Sequence, residues 1–199
     1  MQTINIESAR SLKKLYFTRT GFQVLWAASV IGTAVTKPAV AAILLILYPL
    51  WDVACTIYDL KTSALDSSAK TSQTINAVLG IAAAIGIALT VFDQPRYAVA
   101  VFGVWALAAG LLQFVAGLIR RKQLGGQWAM ILSGLQSTAA GAVFVVGGLQ
   151  GKMHVKDVGG YAIFGAIYFL IAGVLLARKL SKAAAASAIG TREIGHAAM

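Results

Sequence analysis

Four side chains that can ionise or bind a ligand occur at helical spacing in one short segment of the chain: Tyr48, Asp52, Cys55 and Asp59. Positions i, i+4, i+7 and i+11 lie on one face of an α-helix, so the phenol, the thiol and the two carboxylates are predicted to form a stripe. Pro49 removes one main-chain hydrogen bond beside Asp52 and predicts a kink there. A kinked helix that carries carboxylates on one face favours a small polar pocket.

Tyr48, Asp52 and Cys55 lie within an apolar segment, 39–58, that is long enough to cross a bilayer, and Asp59 follows directly at its end. A carboxylate inside such a helix costs about 2.5–3.5 kcal/mol on insertion scales, so Asp52 is expected to have a partner or a function. Arg19, at the inner boundary of the preceding apolar segment, is the expected partner, close to Asp59 and within snorkelling reach of Asp52. Gln113 and Gln136 lie in later apolar segments and are candidates to meet Asp52 in a shared cavity.

Three roles for Asp52 are compatible with the sequence. The carboxylate can be structural, either paired with Arg19 or bonded to Tyr16 or Thr18, and fix the register of two helices. It can take up and release a proton as a switch. It can also line the path of a substrate or an ion, which is a common role of ionisable residues within membrane helices.

The composition is that of a membrane protein, with 58% hydrophobic and only 12% charged residues. A soluble domain has about 25% charged residues. The net charge of +10 comes from basic residues at the ends of apolar runs and not from one basic face, so no nucleic-acid partner is predicted. The single cysteine, Cys55, allows no internal disulfide. Known catalytic, metal-binding and phosphate-binding motifs are absent from the sequence, so no catalytic residue, cofactor, metal or enzyme activity is predicted.

Six apolar runs approach the roughly 20 residues that a membrane-spanning helix needs. The predicted spans are 16–35, 39–58, 75–92, 97–119, 128–149 and 158–177. Strict alternation of apolar and polar residues is absent, which favours helices over a barrel. The predicted fold is therefore an all-α integral membrane protein with a cytoplasmic segment 1–15, a six-helix transmembrane domain 16–182 and a mobile cytoplasmic tail 183–199. No small-x-small cleavage site follows the first run, so that run is expected to remain as a helix.

The positions of the basic residues predict the orientation in the membrane. Of the 17 lysines and arginines, only Lys37, Arg96, Lys152 and Lys156 fall in the three connections on one side. The other 13 lie on the opposite side with both termini, and such an excess marks the cytoplasmic side. We therefore expect a multi-pass protein of the bacterial inner membrane with both termini in the cytoplasm. Tyr161 is expected at the outer membrane interface.

An internal repeat is visible in the spacing of prolines and aromatic residues. Pro38 and Pro95 are 57 residues apart, as are Tyr48 and Trp105. The run that begins at Tyr168 resembles the run that begins at Trp105, at an offset of 63 residues. The chain is therefore predicted to contain three consecutive helical hairpins, 16–60, 74–120 and 126–180.

The aromatic-x-Leu-x-x-Gly pattern at Trp105–Gly110 and the run Gly125–Gly134 resemble the HdeD-like family of small bacterial inner-membrane proteins. The resemblance covers the chain from Leu15 to Lys182. It implies six membrane helices and no catalytic residues, and the founding member of the family is associated with acid resistance. The first hairpin departs from the repeat, because Pro49 and Asp52 stand where the second hairpin has alanines.

The expected function is therefore that of a non-enzymatic HdeD-like membrane protein in acid or envelope stress tolerance. The alternative is a small transporter or channel whose path follows the stripe on the second helix, and a membrane enzyme is a third hypothesis without a supporting motif. The lipid bilayer is the predicted partner. Small residues at helical spacing allow close helix contact, either within the monomer or in a homo-oligomer. These residues are Ser133, Ser137 and Gly141, and Ala106 with Gly110.

Overall fold

A computed structural model describes residues 6–63, 67–124 and 128–197, and within these ranges every regular element is an α-helix. The predicted all-α class is confirmed. The six helices are α1 (Ile6–Thr33), α2 (Pro38–Thr62), α3 (Ser67–Thr90), α4 (Pro95–Leu124), α5 (Trp128–Leu149) and α6 (Val155–Ala197).

Five of the six helices are long and apolar enough to cross a membrane, over Pro38–Thr62, Ser67–Thr90, Pro95–Ile119, Trp128–Leu149 and Val155–Ala184. α1 is not among them, because Arg19, Gln23 and several basic residues lower its mean hydropathy. The chain is thus a helical membrane protein by length and composition. The segment predicted to be a mobile tail is helical as far as Ala197, and its mobility stays a prediction.

The connections α1–α2 and α3–α4 have the same hydrogen-bond pattern. The Lys37 amide donates to the Thr33 carbonyl at 2.7 Å, and the Gln94 amide donates to the Thr90 carbonyl at 2.8 Å. Pro38 and Pro95 then open α2 and α4, where a missing amide proton has no cost. The α5–α6 connection differs, since it turns through Gly151 at a φ of 69°. We call the end of the molecule that carries these three connections the turn end, and the opposite end the terminal end.

The six helices form a ring in chain order. Each helix packs against the next, and α6 returns to α1, so that the ring is closed. The most extensive contacts lie between α4 and α5 and between α1 and α6. A closed ring places one face of every helix toward a common interior, and this interior holds the site described below.

The contact between α4 and α5 depends on glycines spaced seven residues apart on both helices. They are Gly103, Gly110 and Gly117 on α4, and Gly134, Gly141 and Gly148 on α5. A Cβ atom on Gly110 would lie 2.6 Å from the Thr138 nitrogen and 2.8 Å from the Gly134 oxygen. Only residues without a side chain allow two backbones to approach this closely. The predicted small-residue contact at Gly110 and Gly141 is therefore one within the monomer, and a homo-oligomer stays a prediction.

Five rings form an aromatic layer inside the bundle, in the half nearer the turn end: Tyr48, Phe102, Trp105, Phe144 and Tyr161. Phe102 is fully buried, and its ring centroid lies 5.4–5.8 Å from the other four. The expected interfacial position of Tyr161 is wrong, because its ring is part of this layer. Its hydroxyl lies 2.8 Å from the Ser137 hydroxyl, and this hydrogen bond offsets the cost of burying it.

Candidate functional site

The interior of the ring contains a cavity of about 100 Å³ that is lined by side chains from all six helices. One water molecule needs roughly 10–15 Å³ of such space, so the cavity has room for several. We call it the polar cavity, because about half of the residues that line it carry polar side chains. These are Tyr16, Arg19, Gln23, Tyr48, Asp52, Thr56, Asp59, Ser72, Gln73, Asn76, Gln113, Ser133, Ser137 and Tyr161.

An ion pair between α1 and α2 lies at the wall of the polar cavity. The Arg19 Nη1 and Asp52 Oδ1 atoms are 2.6 Å apart, and the two side chains are 14% and 17% exposed. Asn76 of α3 donates from Nδ2 to Asp52 Oδ2 at 2.8 Å and to Thr56 Oγ1 at 3.1 Å. Both carboxylate oxygens of Asp52 therefore receive a donor, and we call these four side chains the ion-pair network. Asp52 faces this network and not lipid.

Asp59 lies two helical turns further along α2, nearer the terminal end. Its carboxylate accepts hydrogen bonds from Ser63 Oγ at 2.6 Å and from Gln73 Nε2 at 2.8 Å. Seven residues at 1.5 Å each separate the two aspartates by about 10 Å along the helix. Arg19 was expected close to Asp59, but its direct ion pair is with Asp52.

At the other end of the cavity, Gln23 of α1 donates from Nε2 to the Tyr48 hydroxyl at 3.1 Å. Within the described part of the chain, Gln23 Oε1 and Trp105 Nε1 are buried polar atoms without a hydrogen-bond partner. A Cβ atom on Gly165 would lie 3.0 Å from Gln23 Oε1, so this glycine leaves room for the amide. An unsatisfied buried polar atom costs about 1–3 kcal/mol, and such atoms are natural points for recognition of a polar ligand.

The structure brings together five of the seven residues that the sequence singled out: Arg19, Tyr48, Asp52, Asp59 and Gln113 all line the polar cavity. Gln113 Nε2 also donates to the Met130 carbonyl at 3.3 Å.

Cys55 and Gln136 are not among the described residues that line the cavity. Cys55 packs in an apolar cluster with Leu15 and Tyr16, and Thr56 takes its place on the cavity face of α2. Gln136 is half-buried on α5, beside Ser137, which does line the cavity. The predicted stripe therefore runs through Tyr48, Asp52, Thr56 and Asp59.

Sequence reasoning missed Asn76, Gln23 and Tyr161. A signal for Asn76 was present, since Gln73, Asn76 and Gly80 fall at i, i+3 and i+7 on one face of α3. Tyr161 gave no signal, because a tyrosine near the end of an apolar run is also typical of a membrane interface. The heptad spacing of the glycines on α4 and α5 was readable in the sequence and was likewise missed.

Comparison of the chain with protein-family models, with curated proteins and with solved structures finds no match. The function is therefore argued from the site. The described lining offers an ion pair, amides, hydroxyls and carboxylates that converge on one small volume. Such a set binds a small polar molecule or ordered water by hydrogen bonds.

Proposed function

We propose that the chain is a six-span protein of the bacterial inner membrane with both termini in the cytoplasm. α1 is 28 residues long, more than the roughly 20 that a span requires, and it closes the ring between α2 and α6. Its polar residues Arg19 and Gln23 face the polar cavity and not the lipid, which supports its place in the membrane. The orientation is supported by the excess of basic residues at the terminal end.

The proposed architecture is three consecutive hairpins of one type. The first two are supported by their connections, whose hydrogen bonds match at an offset of 57 residues. The third hairpin carries its own turn through Gly151. In it, Tyr161 contacts Tyr48, with ring centroids 6.3 Å apart, and Trp105 contacts Tyr48 at 6.0 Å, so each hairpin contributes one ring to the interior. The offset of 63 residues between Trp105 and Tyr168 stays a prediction.

In biochemical terms, the proposed protein is a non-enzymatic transporter or channel that admits a small polar solute into the polar cavity. The observation that carries this proposal is the lining of one cavity by polar groups from all six helices of an otherwise apolar bundle. A structural ion pair alone requires only Arg19, Asp52 and their immediate neighbours. Polar groups from several helices are instead typical of a permeation path.

The polar cavity is closed toward the turn end. Tyr48, Trp105 and Tyr161 belong both to its lining and to the aromatic layer, and Phe102 fills the space between them. At the terminal end the lining reaches Asp59 and Gln73, and Asp59 lies within one helical turn of the end of α2 at Thr62. The proposed solute therefore enters from the terminal end, which is the cytoplasmic side in the proposed orientation.

Flux into liposomes that contain the purified protein tests this proposal. The panel comprises protons, potassium, ammonium, urea and glycerol, each followed by a dye or by light scattering. Ala109→Phe places a ring in the cavity wall, and Ala82→Phe, on the exposed face of α3, is the matched control. We expect faster flux of at least one solute than in empty liposomes, loss of that flux in Ala109→Phe, and no loss in Ala82→Phe. No flux of any solute, or an unchanged rate in Ala109→Phe, would contradict the proposal.

The physiological role that we propose is acid or envelope stress tolerance of the HdeD-like type, and it is supported by the resemblance at Trp105–Gly110. Survival of a bacterial host after acid challenge is the measurement, with the chain expressed as wild type and as Ala109→Phe. We expect the wild type to raise survival above the empty vector and the blocked variant to lose that gain. Equal survival of all three strains would count against this role.

A further inference from the structure

A second and larger cavity, of about 760 Å³, lies at the turn end and is separated from the polar cavity by the aromatic layer. All three connections of this end contribute to its wall, from the segments 34–42, 91–96 and 151–156. Its floor contains the buried residues Ala41, Ala42 and Val91. We call it the turn-end pocket.

The wall of the turn-end pocket is mainly apolar, in contrast to that of the polar cavity. Alanine, valine and proline side chains, with Phe92 and Met153, form most of it. Small-molecule sites are typically cavities of about 300–1,000 Å³ with apolar walls and a few polar groups, and the pocket fits this description. An apolar wall offers water few hydrogen bonds, so the pocket favours a ligand with an apolar part that covers this wall.

The rim of the turn-end pocket is basic. The three connecting segments, together with the adjoining Asp157, contain Lys37, Arg96, Lys152 and Lys156 against Asp93 and Asp157, a net charge of +2 with His154 neutral. Asp157 accepts a hydrogen bond from the His154 amide at 2.8 Å, and its carboxylate lies 3.6 Å from His154 Nδ1. Arg96, Lys156 and Asp93 line the pocket directly, so the charged lining itself has a net charge of +1, and the Arg96 guanidinium lies over the Tyr97 ring at 4.6 Å.

We propose that the turn-end pocket binds a single-chain anionic amphiphile, a long-chain carboxylate, with its acyl chain on the apolar floor and its head at Arg96 and Lys156. The apolar wall selects the chain and the basic rim selects the charge. The pocket opens at the ends of membrane helices, where the headgroups of amphiphiles reside. The volume matches one small ligand, which favours a single chain over a two-chain phospholipid.

Native mass spectrometry of the full chain, released from a non-ionic detergent, tests this proposal. The probes are oleate, methyl oleate and butyrate, so that chain and charge are varied separately. We expect one oleate to bind per protein. Methyl oleate should bind at least about tenfold more weakly because it loses a charged hydrogen bond, and butyrate at least about tenfold more weakly because it loses the apolar contact of the long chain.

Two variants and their controls locate the site. Arg96→Gln combined with Lys156→Gln should weaken oleate binding about tenfold, whereas Lys61→Gln combined with Lys70→Gln, at the terminal end, should not. Ala39→Trp, at an exposed position that lines the pocket, should block binding, and Ala82→Trp on α3 should not.

Equal binding of oleate and methyl oleate would overturn the proposed role of the basic rim. Equal effects of the two glutamine pairs, or full binding in Ala39→Trp, would overturn the proposed location. An unchanged elution profile of Ala39→Trp in size-exclusion chromatography establishes that the blocked variant is folded.

Discussion

Two sides of the helix ring are held together by different physical means. On one side, α4 and α5 meet through glycine backbones, and a Cβ atom added to Gly110 or Gly134 would lie 2.6 Å from a main-chain nitrogen of the other helix. On the other side, α1, α2 and α3 are joined by the ion-pair network, in which Asp52 receives donors from Arg19 and Asn76. The first contact is formed by the absence of side chains, and the second by charged and polar ones.

This difference predicts how substitutions on each side affect the stability of the protein. Lipid does not drive apolar helix faces together as water does, so close backbone packing supplies much of the association energy between α4 and α5. Such packing leaves no space for an added side chain. The ion-pair network borders a cavity and contains one positive and one negative charge. Replacing one of them leaves the other buried and unpaired, so replacing both residues should destabilise the protein less than replacing either alone.

The largest predicted effect comes from Gly110→Leu, which breaks the α4–α5 contact. Its side chain would enter the space of the Thr138 nitrogen and the Gly134 oxygen. Overpacking typically costs about 1–3 kcal/mol, and a rigid backbone wall places this variant at or above the upper end. We expect loss of most of the folded protein, measured as the monodisperse fraction in size-exclusion chromatography after detergent extraction.

Gly21→Leu is the matched control, because a Cβ atom at Gly21 would meet nothing within 4 Å. Its folded yield should equal that of the wild type. An equal folded yield of Gly110→Leu and this control would show that close backbone packing between α4 and α5 is not needed for the fold.

A smaller effect is predicted for Asp52→Asn, which leaves the Arg19 charge without its carboxylate. Breaking a buried pair costs about 3–5 kcal/mol, and contact with a polar cavity reduces this cost to about 2 kcal/mol. The double variant Arg19→Gln with Asp52→Asn removes both charges and should recover part of the loss. The measurement is the melting temperature in detergent of the two single variants and the double variant, as a double-mutant cycle.

Additive losses in that cycle would show that the two charges do not stabilise each other, and the ion-pair network would then be wrong as described. Recovery with unchanged solute flux would assign Asp52 to structure. Recovery with lost flux would assign it to the path as well.

The smallest of the three effects is predicted for Asn76→Ala, which removes the amide that bridges Asp52 and Thr56. The amide makes one hydrogen bond to a carboxylate and one to a hydroxyl, and because water in the adjoining cavity can replace it, the net loss is about 1–2 kcal/mol. The melting temperature should fall by less than in Asp52→Asn. Thr74→Ala on the exposed face of α3 is the control. An equal fall in the melting temperature of this control would show that Asn76 has no specific role in the network.

The sequence was sufficient to predict the all-α class, five of the membrane helices and Arg19 as one candidate partner of Asp52. These features follow from strong and local signals: apolar length, the positions of prolines, and the high cost of an isolated charge in a membrane. The stripe on α2 was also found, apart from the exchange of Cys55 for Thr56, whereas the kink at Pro49 stays a prediction. One residue corresponds to about 100° around a helix, so spacing alone allows a neighbouring residue to take a place on the cavity face.

The partners across the ring were less predictable. Gln23 and Asn76 meet the stripe from α1 and α3, the neighbours of α2 in the chain. Tyr161 meets it only because the ring closes and brings α6 back to the first helices, and no local pattern encodes that closure. Gln136 shows the reverse error, since it is as polar as Gln113 but occupies a different face of its helix. Tyr161 had two physically reasonable positions, a membrane interface and a hydrogen-bonded interior, and only its contacts with Ser137 and Phe102 decide between them.

The central claim is that the ring encloses a polar cavity reached by water. Cys55→Ala removes the single cysteine, and Ala109→Cys or Ala82→Cys then places a thiol in the cavity wall or on the exposed face of α3. A methanethiosulfonate reagent reacts with the thiolate, which forms in water and not in lipid. The measurement is the rate of labelling in membranes. Faster labelling of Ala109→Cys than of Ala82→Cys is predicted, and equal or reversed rates would contradict the account.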